Sequence, residues 1–281
     1  MIRRLQPLLA VALAAALTAA CSSGDDTSTT ATAAPSTTVS STISGGDLPP
    51  TVEGDLLDPA NIPTTVAPEG NGGEPAGLAP NEWGAPEPGG YQYRFNSEDE
   101  VLGVFDHDVD RRRDLSQTLI FQREKRRDAQ LVRWLADGMW VESEQIQEAG
   151  NPPGPRCDWQ PRYLEVPRPL EVGRQWTIES TCAEEERTRH RQGTARVTGS
   201  ETITIAGASY EVFVIERSAE TTLSNENGVP FATQRRQMTD RWAPSLGLLA
   251  RSEGTVVITL EGVEQGTTPD RRELVDPTPV R

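Results

Sequence analysis

The chain has 281 residues, 42 acidic and 27 basic, which gives a formal net charge of −15 at pH 7. Because nucleic-acid binding needs a basic footprint for the phosphates, this balance argues against a nucleic-acid partner. Three cysteines without a CxxC spacing and two histidines argue against a zinc site. There is no phosphate-binding glycine loop, dinucleotide fingerprint or GxSxG elbow, so we predict no cofactor, no metal and no catalytic residue.

The first twenty residues have the layout of a secretory signal. Arg3 and Arg4 precede an apolar stretch from Leu5 to Ala20, which ends in small residues. This stretch is shorter than the ~20 residues that a permanent membrane-spanning helix needs. We therefore predict that residues 1–20 are a signal peptide.

The end of this stretch, Leu17-Thr18-Ala19-Ala20-Cys21, resembles the lipobox of bacterial lipoproteins. That family usually has leucine three places before the cysteine, where Thr18 stands here. The resemblance implies that Cys21 is lipidated and becomes the first mature residue. Its acyl chains would then hold the protein at the outer, extracytoplasmic face of the cell membrane. The alternative is a soluble secreted protein whose thiol lies near the cleavage site.

Residues 21–90 are acidic and rich in Ser, Thr, Pro and Gly. Between Ser22 and Gly90 there are ten acidic residues, no lysine or arginine, and one aromatic residue, Trp83. Such a segment cannot bury enough apolar surface to offset its ordering entropy, so we predict a disordered tether. Residues 91–281 carry 25 basic and 32 acidic residues, so the tether holds more of the net charge than the domain.

Residues 91–265 are long enough for one domain with its own core. Apolar and polar residues alternate there with the period of β-strands. Residues 129–146 predict a hairpin around an Asp137-Gly138 turn. Further strands are predicted within residues 187–205, 210–217, 231–242, 247–250 and 255–260. We predict a mainly β, antiparallel domain, followed by a polar C-terminal tail, residues 266–281.

Three segments of this domain follow one another along the chain: PLEVGRQW (residues 169–176), AGASYEVFVIER (206–217) and DRWAPSLGLLARSEG (240–254). They resemble the pattern of an exported bacterial β-domain family that is mostly uncharacterised. The last segment departs from that pattern, with Ser245 where glycine is usual and with Ala250 and Arg251 around the usual lysine. The resemblance implies a curved antiparallel sheet or open half-barrel, and it brings no established activity.

The two remaining cysteines, Cys157 and Cys182, form an even pair in a protein predicted to be exported. Oxidising compartments favour pairing such cysteines. Closing a loop of this length would stabilise the fold by roughly 3–4 kcal/mol in the chain-entropy model. We therefore predict a Cys157–Cys182 disulfide.

Four tryptophans of the domain have two interpretations. Trp134, Trp140, Trp176 and Trp242 would be core residues in a packed sheet. If the concave side of a curved sheet is open, the same rings would instead line an apolar cleft. That cleft is the candidate binding site that the sequence offers.

The candidate catalytic and metal residues are few. His107 lies among three carboxylates, Asp106, Asp108 and Asp110. These carboxylates resemble the start of a calcium loop, but Arg111 stands where that loop needs glycine. A charged turn is the simpler interpretation. His190 alternates with arginines and is predicted on a solvated strand face.

These features predict a membrane-anchored lipoprotein of the cell envelope without enzymatic activity. It would be a binding or structural module for an apolar ligand, a wall component or a protein partner. The alternative is an envelope hydrolase with a carboxylate- or histidine-based site.

Overall fold

A computed structural model describes residues 84–107, 115–184 and 186–280, all within the second of two compact units, Ser44–Arg281. The predicted signal peptide, Cys21, Asp108 and Asp110 lie outside the described residues, as does the tether up to residue 83. The described residues form twelve β-strands: β1 Gly89–Phe95, β2 Glu98–Asp106, β3 Leu115–Arg123, β4 Arg126–Leu135, β5 Gly138–Glu148, β6 Cys157–Pro167, β7 Gln175–Glu184, β8 Arg187–Ile205, β9 Ala208–Asn225, β10 Pro230–Ala243, β11 Leu248–Leu260 and β12 Val263–Val280.

The strands form because apolar side chains alternate with polar ones. In β4, Val132 and Trp134 are buried while Arg133 between them points to the other face and is partly exposed. The turn into β5 depends on Gly138, whose φ is +143° and whose Cβ, if present, would lie 2.2 Å from the backbone oxygen of Val166. The predicted hairpin around Asp137-Gly138 is therefore confirmed.

The sheet closes into a barrel of antiparallel strands. Each strand pairs with the next along the chain, and β1 pairs with both β2 and β12. The closing ladder runs from Gly90 opposite Val280 to Phe95 opposite Arg272. The mainly β fold is confirmed, but the predicted open half-barrel is wrong, because β12 supplies the strand that closes the sheet.

The predicted domain boundaries need correction at both ends. Residues 266–280, expected as a polar tail, belong to β12, whose polar sequence is stabilised by pairing with β11 and β1. At the other end, Gly89 and Gly90 belong to β1 rather than to the tether. Ala85 before them is 4% exposed and belongs to the core. Pairing partners far along the chain decide these assignments, and local composition does not report them.

One end of the barrel, which we call the closed end, is filled by apolar side chains. The segment that leads into β1 seals it: Gln117 donates through Nε2 to the Pro86 oxygen (2.9 Å). Ala85 lies so near Gly247 that a Cβ on that glycine would be 2.5 Å from the Ala85 carbonyl carbon. The core at this end includes Tyr91, Trp134, Met139, Val166, Val212, Ala243 and Leu248.

The barrel is also coiled tightly enough to bring non-neighbouring strands together. Cα atoms of β8 and β12 approach within 8 Å although three strands separate them in the sheet. Glycine permits this coiling at Gly193, where a Cβ would lie 2.4 Å from the Ser218 backbone oxygen. A wide twelve-stranded barrel would leave a cavity, whereas this coiling lets side chains meet across the interior.

The weakest pairing in the barrel lies between β6 and β7. A single backbone pair, Gln160 opposite Thr181, joins these strands. One side chain of β7 bridges the two strands, since Ser180 donates to the Pro161 oxygen of β6 (2.5 Å). β6 is also held from β9, where Arg217 donates to the Glu165 oxygen (3.3 Å). We call this line of weak pairing the β6–β7 seam.

A disulfide holds one end of the β6–β7 seam. Cys157 at the start of β6 is bonded to Cys182 in β7, which confirms the predicted pair, and both cysteines are buried. Glu184 lies near the two sulfurs, but cysteines joined to each other are not available as metal ligands.

None of the described residues forms a helix with the length and apolar character that crossing a membrane requires.

Candidate functional site

Of the four tryptophans predicted as core or cleft residues, Trp134, Trp176 and Trp242 pack in one core cluster and Trp140 does not. Trp134 is buried, and its ring centroid lies 6.4 Å from that of Trp242. Trp176 packs with Trp242 against a buried cluster of β8 and β9. Trp140 lies apart, where its Nε1 donates to Asp137 (2.9 Å) and the guanidinium of Arg162 lies 5.4 Å from its ring centroid. An apolar ligand at these rings stays a prediction.

The two histidines also lie apart. The Nε2 atom of His107 is 2.6 Å from the Thr118 hydroxyl oxygen, and burial lowers the pKa of His107 while Asp106 opposes this shift. The Thr118 side chain belongs to a residue that is only 3% exposed. His190 lies on the outer face with its Nε2 2.6 Å from the Glu179 carboxylate, in agreement with the predicted solvated position.

The end of the barrel opposite the closed end has a charged interior, which the sequence analysis missed. Its inward side chains include five arginines and five acidic residues from eight strands. We call this set the charged lumen; its members are Glu100, Arg123, Asp128, Glu144, Glu184, Arg189, Arg191, Arg236, Asp270 and Arg272.

The first centre of the charged lumen is the Arg191–Glu144 pair. Both guanidinium nitrogens donate to the Glu144 carboxylate, at 3.0 and 3.1 Å, and the Tyr163 hydroxyl donates to the same carboxylate at 2.9 Å. The guanidinium carbon also lies 4.6 Å from the centroid of the Trp159 ring. Parallel hydrogen bonds and a stacked ring hold Arg191 in one orientation.

These contacts move the two pKa values in opposite directions. Burial by itself raises the pKa of Glu144, but the Arg191 charge and the hydrogen bonds from Arg191 and Tyr163 outweigh it and lower that pKa. Burial lowers the pKa of Arg191, and the Glu144 charge more than compensates, so the pKa of Arg191 rises. Both groups therefore stay charged at neutral pH.

The second centre is the Arg272–Glu100 pair. Arg272 donates to the Glu100 carboxylate at 2.5 and 3.0 Å, and the Glu100 side chain has no exposed surface. The guanidinium carbon of Arg272 lies 4.2 Å from the centroid of Phe121, and that of Arg123 lies 4.2 Å from the centroid of Phe95. Arg189 is likewise paired, its Nε lying 2.7 Å from a carboxylate oxygen of Glu184.

Arg236 differs from these arginines. It points inward, because it has the same register parity on β10 as the buried Asp240, and its electrostatic neighbours include Arg191, Arg272 and Asp270. It forms no hydrogen bond or ion pair with any residue of the described part of the chain, and it is exposed to water. Burial by the surrounding wall lowers its pKa, and Asp270 partly opposes that shift.

A groove of about 430 Å³ crosses the outer face of β7 to β10. Its charged side chains have partners: Arg235 donates to Glu220 (3.0 Å), and Glu179 lies against His190. The groove is therefore a solvated outer surface with its charges already paired, and the charged lumen is the better candidate site.

Comparisons with known proteins give little further information. No family model matches the chain, and no curated protein matches it. Among solved structures, the chain is similar to the crystal structure of the hypothetical lipoprotein YmcC from Escherichia coli K12, with 13% identity, 72% of this chain and 91% of that chain covered, and a TM-score of 0.30. At this identity and TM-score the similarity does not indicate a function.

Proposed function

We propose that the protein is a lipoprotein anchored through Cys21 at the outer face of the cell membrane, and that its barrel is a binding module. The observation that carries the binding role is the difference between the two ends of the barrel. Apolar side chains fill the closed end, whereas the charged lumen presents a water-exposed arginine without a partner. A ligand can therefore be recognised at the charged lumen without displacing the core.

Binding fits the charged lumen better than acid–base catalysis does. A general acid or base works best when its pKa lies near the operating pH. The contacts between Glu144 and Arg191 move both pKa values away from neutrality. These groups are suited to holding fixed charges in place, and poorly suited to exchanging protons with a substrate.

The alternative, an envelope hydrolase, would draw on His107. The structure places His107 against the Thr118 hydroxyl, which could in principle be activated by a histidine base. Because Thr118 is almost fully buried, a substrate carbonyl cannot reach that hydroxyl in this arrangement. We therefore propose a non-enzymatic role.

The anchor is tested by intact-mass analysis of full-length protein extracted from membranes. We expect a diacylglyceryl group and an N-acyl chain on Cys21, and loss of both together with release from the membrane in Cys21→Ser. A Cys157→Ser variant is the matched control, since it removes a different cysteine and should stay anchored. An unmodified Cys21 thiol in membrane-extracted wild-type protein would contradict the anchor.

The binding role is tested by native mass spectrometry of the full chain after incubation with an extract of the producing cells' envelope. We expect an added mass that survives gentle ionisation and disappears on denaturation. A barrel that stays free of ligand after this exposure would contradict the binding role, whatever the state of Cys21.

A further inference from the structure

We propose that Arg236 is the recognition residue of a site in the charged lumen for a singly charged oxyanion, the chemistry shared by carboxylates and phosphodiesters. This inference rests on the proposed binding function and specifies the chemical class of the ligand. It is based on a difference in pairing between Arg236 and the other arginines of the charged lumen.

The other arginines of the charged lumen already have acidic partners. Glu144 accepts from Arg191, Glu100 accepts from Arg272, and Glu184 forms an ion pair with Arg189. Arg236 has no such partner among the described residues. A guanidinium presents five N–H donors in a planar fork that matches two oxygens of a carboxylate or phosphate, and Arg236 is exposed to water.

The wall next to Arg236 carries small side chains, and its charged neighbours are held in place. On β9 the residue opposite Arg236 is Ala219, and opposite Ala219 on β8 is Gly193, so the adjoining wall has little side-chain volume. Arg191 and Arg272, on either side, are held by bidentate carboxylates and aromatic rings. A ligand at Arg236 would therefore meet a preformed surface.

The charges nearby set the charge of the ligand. Arg191 and Arg272 favour an anion, but Glu144 and Asp270 also lie in electrostatic reach of Arg236. A dianion such as inorganic phosphate doubles both the attraction to the arginines and the repulsion from the carboxylates, whereas its desolvation cost rises with the square of its charge. The site therefore favours one negative charge spread over two oxygens.

The alternative is that Arg236 only balances Asp270 as part of the fold. The two interpretations differ in what they expect of stability. An arginine held near other arginines without a partner costs stability, so removing its charge should leave the barrel at least as stable. If Arg236 had only a structural role, removing its charge would lower the stability of the barrel.

The experiment uses full-length protein in non-ionic detergent and measures dissociation constants by NMR titration. The probes are acetate, dimethyl phosphate and the short-chain lipid dihexanoyl phosphatidylglycerol, which separate a free carboxylate, a free phosphodiester and a lipid headgroup. Inorganic phosphate is titrated alongside them as the dianion. The variants are Arg236→Gln, Arg236→Lys and Arg235→Gln. Arg235 is the matched control because it is the neighbouring arginine on the outer face of the same strand.

We expect at least one probe to bind the wild type more tightly than inorganic phosphate. Arg236→Gln should weaken that binding at least tenfold, Arg236→Lys less, and Arg235→Gln should leave it unchanged. Arg236→Gln should also melt at or above the wild-type temperature in ligand-free buffer.

Three results would overturn the inference: no binding of any probe to the wild type, equal binding to Arg236→Gln, or a clear loss of thermal stability in Arg236→Gln. An envelope ligand that binds the wild type and Arg236→Gln equally would overturn the oxyanion site and leave the binding function intact.

Discussion

Arg191 and Arg236 are both inward arginines, and their difference shows how much depends on one carboxylate. Arg191 has Glu144 at hydrogen-bond distance, whereas Arg236 has no acidic partner among the described residues. A buried ion pair is not by itself strong support for stability, because desolvation offsets much of the attraction. Removing one member of the pair lowers the free energy of unfolding, because the other charge stays in the interior without a partner.

Neutralising Glu144 should therefore destabilise the barrel. We expect Glu144→Gln to lower the free energy of unfolding by about 3 kcal/mol, the lower end of the range for broken buried pairs, since the carboxylate is 12% exposed. Urea denaturation with the disulfide intact measures this. Glu220→Gln, which breaks the exposed pair with Arg235, should cost less than about 1 kcal/mol. Equal losses in the two variants would show that Arg191 does not depend on Glu144.

The same carboxylate predicts a pH dependence. The pKa of Glu144 is lowered from its usual 4.5 in the folded state, so the unfolded chain takes up its proton first as pH falls. The stabilisation is fully present above about pH 4.5 and is lost as pH falls through the lower folded pKa. The difference in urea midpoint between wild type and Glu144→Gln should thus shrink between pH 5 and pH 3. A difference that is constant over this range would count against the lowered pKa.

At the scale of elements, β6 is the least firmly held strand of the barrel. It shares one backbone pair with β7, and Pro161 and Pro167 within it have no N–H to donate. The adjacent pair β8 and β9, in contrast, runs almost without interruption from Arg187 to Ile205. The disulfide therefore lies where the backbone ladder contributes least.

Removing the disulfide should act locally on this seam. We expect Cys157→Ser combined with Cys182→Ser to cost about 3.5 kcal/mol in the chain-entropy model for a separation of 25 residues. Amide hydrogen exchange should rise first in β6 and β7, while β8 and β9 keep their protection. Cys21→Ser is the control and should leave both strands unchanged. A uniform rise across the barrel would show that the seam is not the weak element.

Individual strands could be predicted from the sequence more readily than their closure. The Asp137-Gly138 hairpin and the strand through residues 210–217 follow from turn chemistry and β-branched residues, which are local properties. β12 could not be found in this way, because its run TTPDRREL is polar and contains proline. Its place in the sheet comes from partners on β1 and β11, and β1 lies about 180 residues earlier.

At the scale of the whole molecule, the charged lumen could not be found from the sequence, because its residues come together from distant parts of the chain. Glu100 and Arg272 are separated by 172 residues, so no spacing along the chain marks them as partners. One local signal was available: Arg187, Arg189 and Arg191 occupy alternate positions of a strand, on the face opposite His190. Alternation shows that two faces differ, but only the register with β7 shows that the arginines face the same side as buried Cys182.

The position of Ala85 and Pro86 in the closed end has a mechanical consequence. The backbone leading into β1 packs closely against Gly247 and accepts a hydrogen bond from Gln117, at the end of the barrel opposite Arg236. A force applied to the chain from the N-terminal side would therefore act first on the contacts of Ala85 and Pro86. The opposite end of the barrel, which holds Arg236, would thus be shielded from such tension.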